Sequence, residues 1–342
     1  MKTRYYYEQL SENAKIIYKG LYKAIKQLQE VAIIPGKIKN EELSSVLYAI
    51  RYDNPELYYF NWIEYYLLRE NEVEIKLIYT YPVKTLPGRN KYIQELIDSS
   101  LEIYKKRKIT DAFNTSLWIH NHIAHLVTYD EDSYEGKSEK RRHADAHSIA
   151  GVFCRKTAVC EGIALAYKLL CDKLGIYCIV AVGEANSSPS DELGNNNGHA
   201  WNIIRLGDKY AHVDVTWNMC LSRGCKKTRY DYFGVSDRMI KSNHRWEKYP
   251  MCVEGSGLTY FEQKKCVISN IKELNIMLDN AVSSKTESLY FQIKKEGGKE
   301  IISNEAVRDT VKKKVFSRKS KCKEYTITHN EDLGIYLYLL NY

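Results

Sequence analysis

The stretch Gly198-His199-Ala200-Trp201-Asn202-Ile203-Ile204-Arg205-Leu206-Gly207-Asp208-Lys209-Tyr210-Ala211-His212-Val213-Asp214-Val215-Thr216-Trp217 reads as two β-strands joined by a tight turn. Gly207-Asp208 is a strong two-residue hairpin signal, with strands expected over 199–206 and 209–217. With those two residues as the loop, Leu206 faces Lys209, Trp201 faces Asp214 and His199 faces Thr216. Opposite residues share a face of the sheet, as do alternate residues along one strand, so His199, Trp201, His212 and Asp214 project together. His199 and Asp214 become diagonal neighbours, within reach of a carboxylate-to-imidazole hydrogen bond. A slip of one residue would place them on opposite faces.

Upstream, Cys160 opens a helix that continues through Ile163, Ala166, Tyr167, Leu170 and Leu174 and stops at Gly175, a residue suited to the position just past a helix end. The unpaired amides and positive dipole of a helix start favour a thiolate, and the same amides can face a developing oxyanion. Between helix and hairpin, Ile179-Val180-Ala181-Val182 reads as a short buried strand. The polar loop from Asn186 to Gly198 that follows is placed to gate substrate. A thiol at a helix start, an imidazole to move its proton and a carboxylate to orient the imidazole are what nucleophilic acyl transfer needs. Taken singly, each has a blander reading: a cysteine opening a helix is usually a buried apolar group, and a lone His or Asp in a strand is usually just hydrogen-bonded. Their joint placement favours Cys160 as nucleophile, His199 as base and Asp214 as its orienter.

Three blocks carry a family resemblance: Ala158-Val159-Cys160-Glu161-Gly162-Ile163-Ala164, Gly198-His199-Ala200-Trp201-Asn202 and Val213-Asp214-Val215-Thr216-Trp217. Together they resemble the transglutaminase-like superfamily of bacterial type. Tyr232-Phe233-Gly234-Val235-Ser236-Asp237 with His244-Arg245-Trp246, and Ile119-His120-Asn121 with Tyr129-Asp130, extend the similarity to roughly 108–252. The resemblance implies a papain-like α+β core, its nucleophile helix packed on an antiparallel sheet. It also implies a thioester acyl-enzyme on Cys160, with Glu161 and Trp201 as candidates for substrate or oxyanion contacts. Such proteins include transamidases, peptidases, deamidases and members without the triad, so the acceptor stays open, with a non-catalytic protein- or cell-wall-binding module as the alternative. A protein or peptide substrate is expected, with no cofactor.

Around this segment the chain reads as α+β throughout. A helix follows Ser11 with Ala14, Ile17, Tyr18, Leu21, Ile25 and Leu28 on one face, and a second begins near Glu41. Val73, Ile75, Leu77 and Tyr79 alternate as a strand, and helices are expected from about Tyr92 to Lys105 and around Leu117 to Leu126. Past Gly255-Ser256-Gly257 come strand candidates at 289–293, 325–328 and 335–340 and a helix at 304–315. The expected division is an N-terminal α+β region over 1–107, a catalytic core over 108–254 and a small α+β appendage over 258–342.

Composition narrows the rest. The chain has 342 residues, 44% hydrophobic and 27% charged, an ordinary balance for a folded chain able to bury its own core. Its 29 Tyr against 7 Phe are spread throughout, which points to codon usage rather than a site. The net charge of +8 is partly local, in Lys312, Lys313, Lys314, Arg318, Lys319, Lys321 and Lys323. Phe316 alone falls among these charges, and aromatic residues do not interleave with them as a nucleic-acid platform requires, so no nucleic-acid partner is expected. The start lacks a signal-peptide core and no run reaches the length of a membrane span, giving an expected cytoplasmic location. No metal site is expected. Cys220, Cys225, His244 and Cys252 are ligand types in a poor zinc spacing, His120, His122 and His125 lack an acidic partner on their helix face, and no acidic calcium loop occurs.

Overall fold

In the computed structural model, which describes residues 2–186, 198–225, 227–317, 320 and 322–342, the N-terminal stretch builds a small sheet flanked by helices. Helix α1 (Glu12–Lys26) is capped by the Ser11 hydroxyl, which accepts from the Ala14 amide, and buries Ala14, Ile17, Tyr18, Leu21, Ala24 and Ile25. Strand β1 (Val31–Pro35), helix α2 (Asn40–Asp53) and strands β2 (Phe60–Leu68) and β3 (Glu72–Tyr79) follow, in sheet order β1-β3-β2. The periodicity of β3 was readable because its alternate residues are buried; β1 and β2 went unread. Most of β2 is exposed, so its sequence carries little inward–outward contrast. Helix α3 (Leu86–Lys105) starts earlier than expected, because Pro87 sits in its first turn, where the missing N–H costs nothing. Helix α4 (Ala112–Leu126) is capped by Asp111.

The centre is helix α5 (Cys160–Leu174), followed by strands β4 (Tyr177–Ala185), β5 (Gly198–Leu206) and β6 (Lys209–Val213), helix α6 (Val215–Ser222), and strands β7 (Phe233–Val235) and β8 (His244–Trp246). The five strands form an antiparallel sheet in the order β8-β4-β5-β6-β7, with α5 packed against β4 and β5. Alternation along β4 and β5 divides two interiors. Cys178, Val180, Ala200 and Ile204 join the core shared with α5, whereas Ile179, Ala181, Trp201 and Ile203 join a second core closed by Phe261, Leu333 and Ile335. Both faces are covered, which is why these strands read as nearly continuous apolar runs. The first of these cores extends from Leu10 to Leu258, so N-terminal helices and α5 share one interior.

Downstream, β9 (Val267–Ile268), helix α7 (Ile271–Ser283), β10 (Ser288–Ile293), helix α8 (Asn304–Val315), β11 (Glu324–Asn330) and β12 (Ile335–Asn341) form a sheet in the order β9-β10-β12-β11. Helix α7 is an addition to the sequence reading. Lys312, Lys313 and Lys314 occupy the last turn of α8, where positive charge complements the helix dipole, and Lys314 Nζ is 2.6 Å from Asp279 Oδ1. The remaining members of that basic stretch at 318, 319 and 321 lie outside the described residues, as does the polar loop between Asn186 and Gly198. Among the described residues no helix is long and apolar enough to cross a membrane.

One glycine explains how α5 is seated. A Cβ at Gly162 would run into the Ala146 carbonyl oxygen and approach the Ser148 carbonyl within 2.9 Å, and the same Ala146 carbonyl accepts from the Val159 amide at 3.1 Å. The segment before α5 therefore lies directly on the helix's first turn, beside Cys160. Gly162→Ala is expected to lower stability by roughly 1–3 kcal/mol through overpacking, read as a lower urea midpoint at unchanged slope.

Candidate active site

The hairpin register is Leu206↔Lys209, Arg205↔Tyr210, Ile204↔Ala211, Ile203↔His212 and Asn202↔Val213. Gly207 takes φ +66°, the left-handed first position of a two-residue loop led by glycine. The expected second strand, however, stops at Val213, and the expected pairing of His199 with Thr216 does not form because 215–222 is helical. The reason is Asp214. Its Oδ1 accepts from the Trp217 amide at 2.9 Å, capping α6, so the chain leaves the sheet there despite the strand-like Val215-Thr216-Trp217.

The other carboxylate oxygen, Oδ2, accepts from His199 Nε2 at 2.6 Å and from His244 Nε2 at 3.0 Å. With Nε2 of His199 committed to Asp214, Nδ1 is the nitrogen left for Cys160, whose side chain acts on the ring. Cys160 is the first residue of α5, and Cys160 and His199 are each 8% exposed. Burial alone would depress the His199 imidazole, but the charge and hydrogen bond of Asp214, joined by Cys160, raise it to about 10. Burial pushes the Asp214 carboxyl up, and the His199 charge and the two imidazole hydrogen bonds more than reverse that, holding it below the usual carboxylate range. The pair is therefore imidazolium and carboxylate across neutral pH. His244 differs: burial lowers it to about 4 against the pull of Asp214. Asn243 packs at its other ring nitrogen, Oδ1 to Nδ1 2.7 Å.

Aromatic residues brace the imidazoles. Trp201 stacks on His199 with centroids 5.8 Å apart, and Trp217 lies 4.6 Å from His244. Trp201 is 1% exposed and donates from Nε1 to His212 Nδ1 at 3.0 Å, so it backs the His199 ring and offers no free donor to the cleft. Glu161 likewise turns away from the position expected of it. Its carboxylate receives Arg51 Nε at 2.5 Å and Nη2 at 2.9 Å, and His147 Nδ1 at 2.9 Å. Burial opposes its ionisation, but Arg51 and His147 hold it down at about 2. The residue after Cys160 thus ties α5 to α2, with both oxygens taken.

His244 is the site residue that sequence reading missed as a partner of Asp214. It stood in the quoted His244-Arg245-Trp246 block, but only the fold shows that β8 lies beside β4, with His244 opposite Ala185. Tyr129 is a second addition: its hydroxyl is raised by burial first and by the nearby Cys160 next.

The zinc grouping of Cys220, Cys225, His244 and Cys252 is not assembled. Among the described residues, candidate ligand clusters are His199, Asp214 and His244, and His212, Asp237 and Cys252. In the first, His199 and Asp214 stand 2.6 Å apart in direct hydrogen bonding. A tetrahedral zinc with bonds of about 2.0–2.2 Å would need its ligand atoms more than about 3 Å apart. In the second, His212 Nε2 is 2.8 Å from Asp237 Oδ1, an equally direct bond. The helix histidines diverge: His120 Nε2 meets Asn218, His122 stacks on Trp118 and His125 bonds the Asn121 carbonyl.

A cleft of about 750 Å³ opens beside His199. Tyr129, Trp217 and Leu221 line it, Asn186 and Gly198 stand at its edge, and Thr328 to Asp332 of the C-terminal hairpin form one wall. Among the described residues, none of the cleft's lining comes from 1–107. The Oδ1 of Asn186, buried at this edge, has no hydrogen-bond partner among the described residues.

Two solved structures resemble part of the chain. One is described as a TGase, 16% identical over 46% of this chain and 43% of that one, with a TM-score of 0.30. The other, a provisionally assigned cysteine protease from Cytophaga hutchinsonii, is 18% identical over 45% of this chain and 62% of its own, with a TM-score of 0.27. The matched region spans less than two thirds of either chain. No protein-family model matches, nor does any curated protein. Likeness this slight decides neither fold nor activity, and the chemistry is carried by the side chains.

Proposed function

We propose that the protein is a cysteine-dependent acyl-transfer enzyme acting on peptide or amide substrates, with Cys160 as nucleophile, His199 as acid and base, and Asp214 orienting and charging the imidazole. The reading places the catalytic core in residues 108–254 as a papain-like transglutaminase core. The observation that carries it is the buried 2.6 Å His199–Asp214 hydrogen bond, with the Cys160 side chain acting on the same imidazole and His199 lining an open cleft.

In this mechanism the Cys160 thiolate attacks the amide carbonyl, and the Cys160 amide at the start of α5 faces the oxyanion. Tyr129, the tyrosine whose hydroxyl senses Cys160, is the candidate second donor. As the tetrahedral adduct collapses, imidazolium His199 gives its proton to the leaving amine, and a thioester on Cys160 remains. Neutral His199 then takes a proton from the acceptor, water or an amine, which attacks the thioester and releases the Cys160 thiolate beside the imidazolium. The acceptor decides between hydrolysis and transamidation.

Alkylation tests the assembled pair. Iodoacetamide should label Cys160 ahead of the other cysteines below about pH 7, and that advantage should vanish in His199→Ala. Ordinary thiol kinetics at Cys160 in both proteins would sink the catalytic reading.

A further inference from the structure

A second concavity, of about 570 Å³, lies away from the cleft, between the end of α2, residues 55–61 and the segment 136–148, with Leu165 of α5 at its base. Its ionisable lining is of one sign. Arg51, Lys140, His143 and His147 face it, and none of its lining residues is Asp or Glu. The cleft beside His199, by contrast, includes Glu131, Glu331 and Asp332.

We propose that this cavity binds a phosphate-bearing small molecule. Arg51 uses Nε and Nη2 on Glu161, which leaves Nη1. His147 donates Nδ1–H to Glu161, and His143 donates Nδ1–H to the Ser133 carbonyl at 3.1 Å, so each ring offers an anion an Nε2–H only in its protonated form. The two rings lie 4.5 Å apart, close enough for both to reach one oxyanion. Lys140 is exposed and has no acidic partner among the described residues. The one carboxylate, Glu161, set against Arg51 and Lys140 leaves one fixed positive charge, and a phosphate monoester dianion that protonates one ring completes the balance through several acceptor oxygens. The space exceeds a phosphate, and Leu57, Phe60 and Leu165 supply an apolar floor for an organic group. An anion here would share Arg51 and His147 with Glu161, the residue next to Cys160, but its binding does not depend on the catalytic reading.

The test is calorimetric titration of the Cys160→Ala chain with phenyl phosphate at low salt, so that turnover plays no part. Saturable binding is expected, weakened at least tenfold by Lys140→Ala with His143→Gln, retained in Lys140→Arg and unchanged by Lys312→Ala with Lys313→Ala. Both altered residues at the cavity are exposed, and circular dichroism checks that the fold survives. No saturable heat, or an affinity indifferent to the Lys140 and His143 changes, overturns the proposal. So does equal weakening by the Lys312 and Lys313 control, which would mean general attraction to a basic chain.

Discussion

Cys160→Ala is expected to lower acyl transfer by roughly 10⁵–10⁶-fold while leaving the fold in place. Cys160 opens α5 with Val159 as the flanking residue and makes no backbone contact that Ala would lose, and Ala is accepted at a helix start. Its side chain acts on the His199 ring, and Cys220, a second sulfur lining the same cleft, is pushed up by burial. The measurement is turnover of a glutamine- or amide-bearing peptide panel, followed by mass spectrometry for a thioester on the wild-type protein. Wild-type rates in the Cys160→Ala protein would refute the nucleophile, and the non-catalytic binding reading would take its place.

Asp214→Asn should reduce the rate by roughly 10⁴-fold by a different route. Asparagine remains a good helix cap, and its Oδ1 can keep the Trp217 amide, so α6 should persist. The cost falls on the other side of the group. An amide nitrogen would then face His199 and His244, both of which now donate to a carboxylate oxygen. His199 would have to accept at Nε2, moving its proton to the nitrogen that faces Cys160, where a base is needed. Without the carboxylate, burial lowers the ring with Cys160 left to oppose it. The alkaline limb of kcat/KM, expected near pH 10 in the wild type, should move down. Stability has a matching sign. A raised imidazole contributes fully below 6.5 and loses that contribution as pH rises through about 10, so the wild type should weaken over that window and the variant should not. An unchanged alkaline limb in Asp214→Asn would remove the orienting role.

The central arrangement was legible because a hairpin constrains itself. Gly207-Asp208 set the register of five residue pairs, and period-two alternation then brought His199 and Asp214 to one side. The helix of Cys160 was legible from its own periodicity and from Gly175, which takes φ +79° at its end. What escaped was tertiary. Val215-Thr216-Trp217 has strand chemistry, and the Asp214 cap overrides it with a single hydrogen bond that local pattern does not reveal. Glu161 sits beside the nucleophile in sequence, but Arg51, more than a hundred residues earlier, decides where its carboxylate points. His244 reaches Asp214 only because β8 joins the sheet from the far edge.

The cleft wall formed by Thr328 to Asp332 has its own consequence. These residues belong to β11 and the turn before β12, whose sheet packs around a separate apolar cluster with α7 and α8. Its inner end belongs elsewhere: Leu333 and Ile335 join the core that holds Trp201, the ring stacked on His199, and Asn243, next to His244, donates to Asp332. The wall that bounds a substrate and the ring that would handle its proton therefore rest on one interior. Loosening the C-terminal sheet should cost selectivity and rate together, whereas a change at exposed Glu331 should touch selectivity alone.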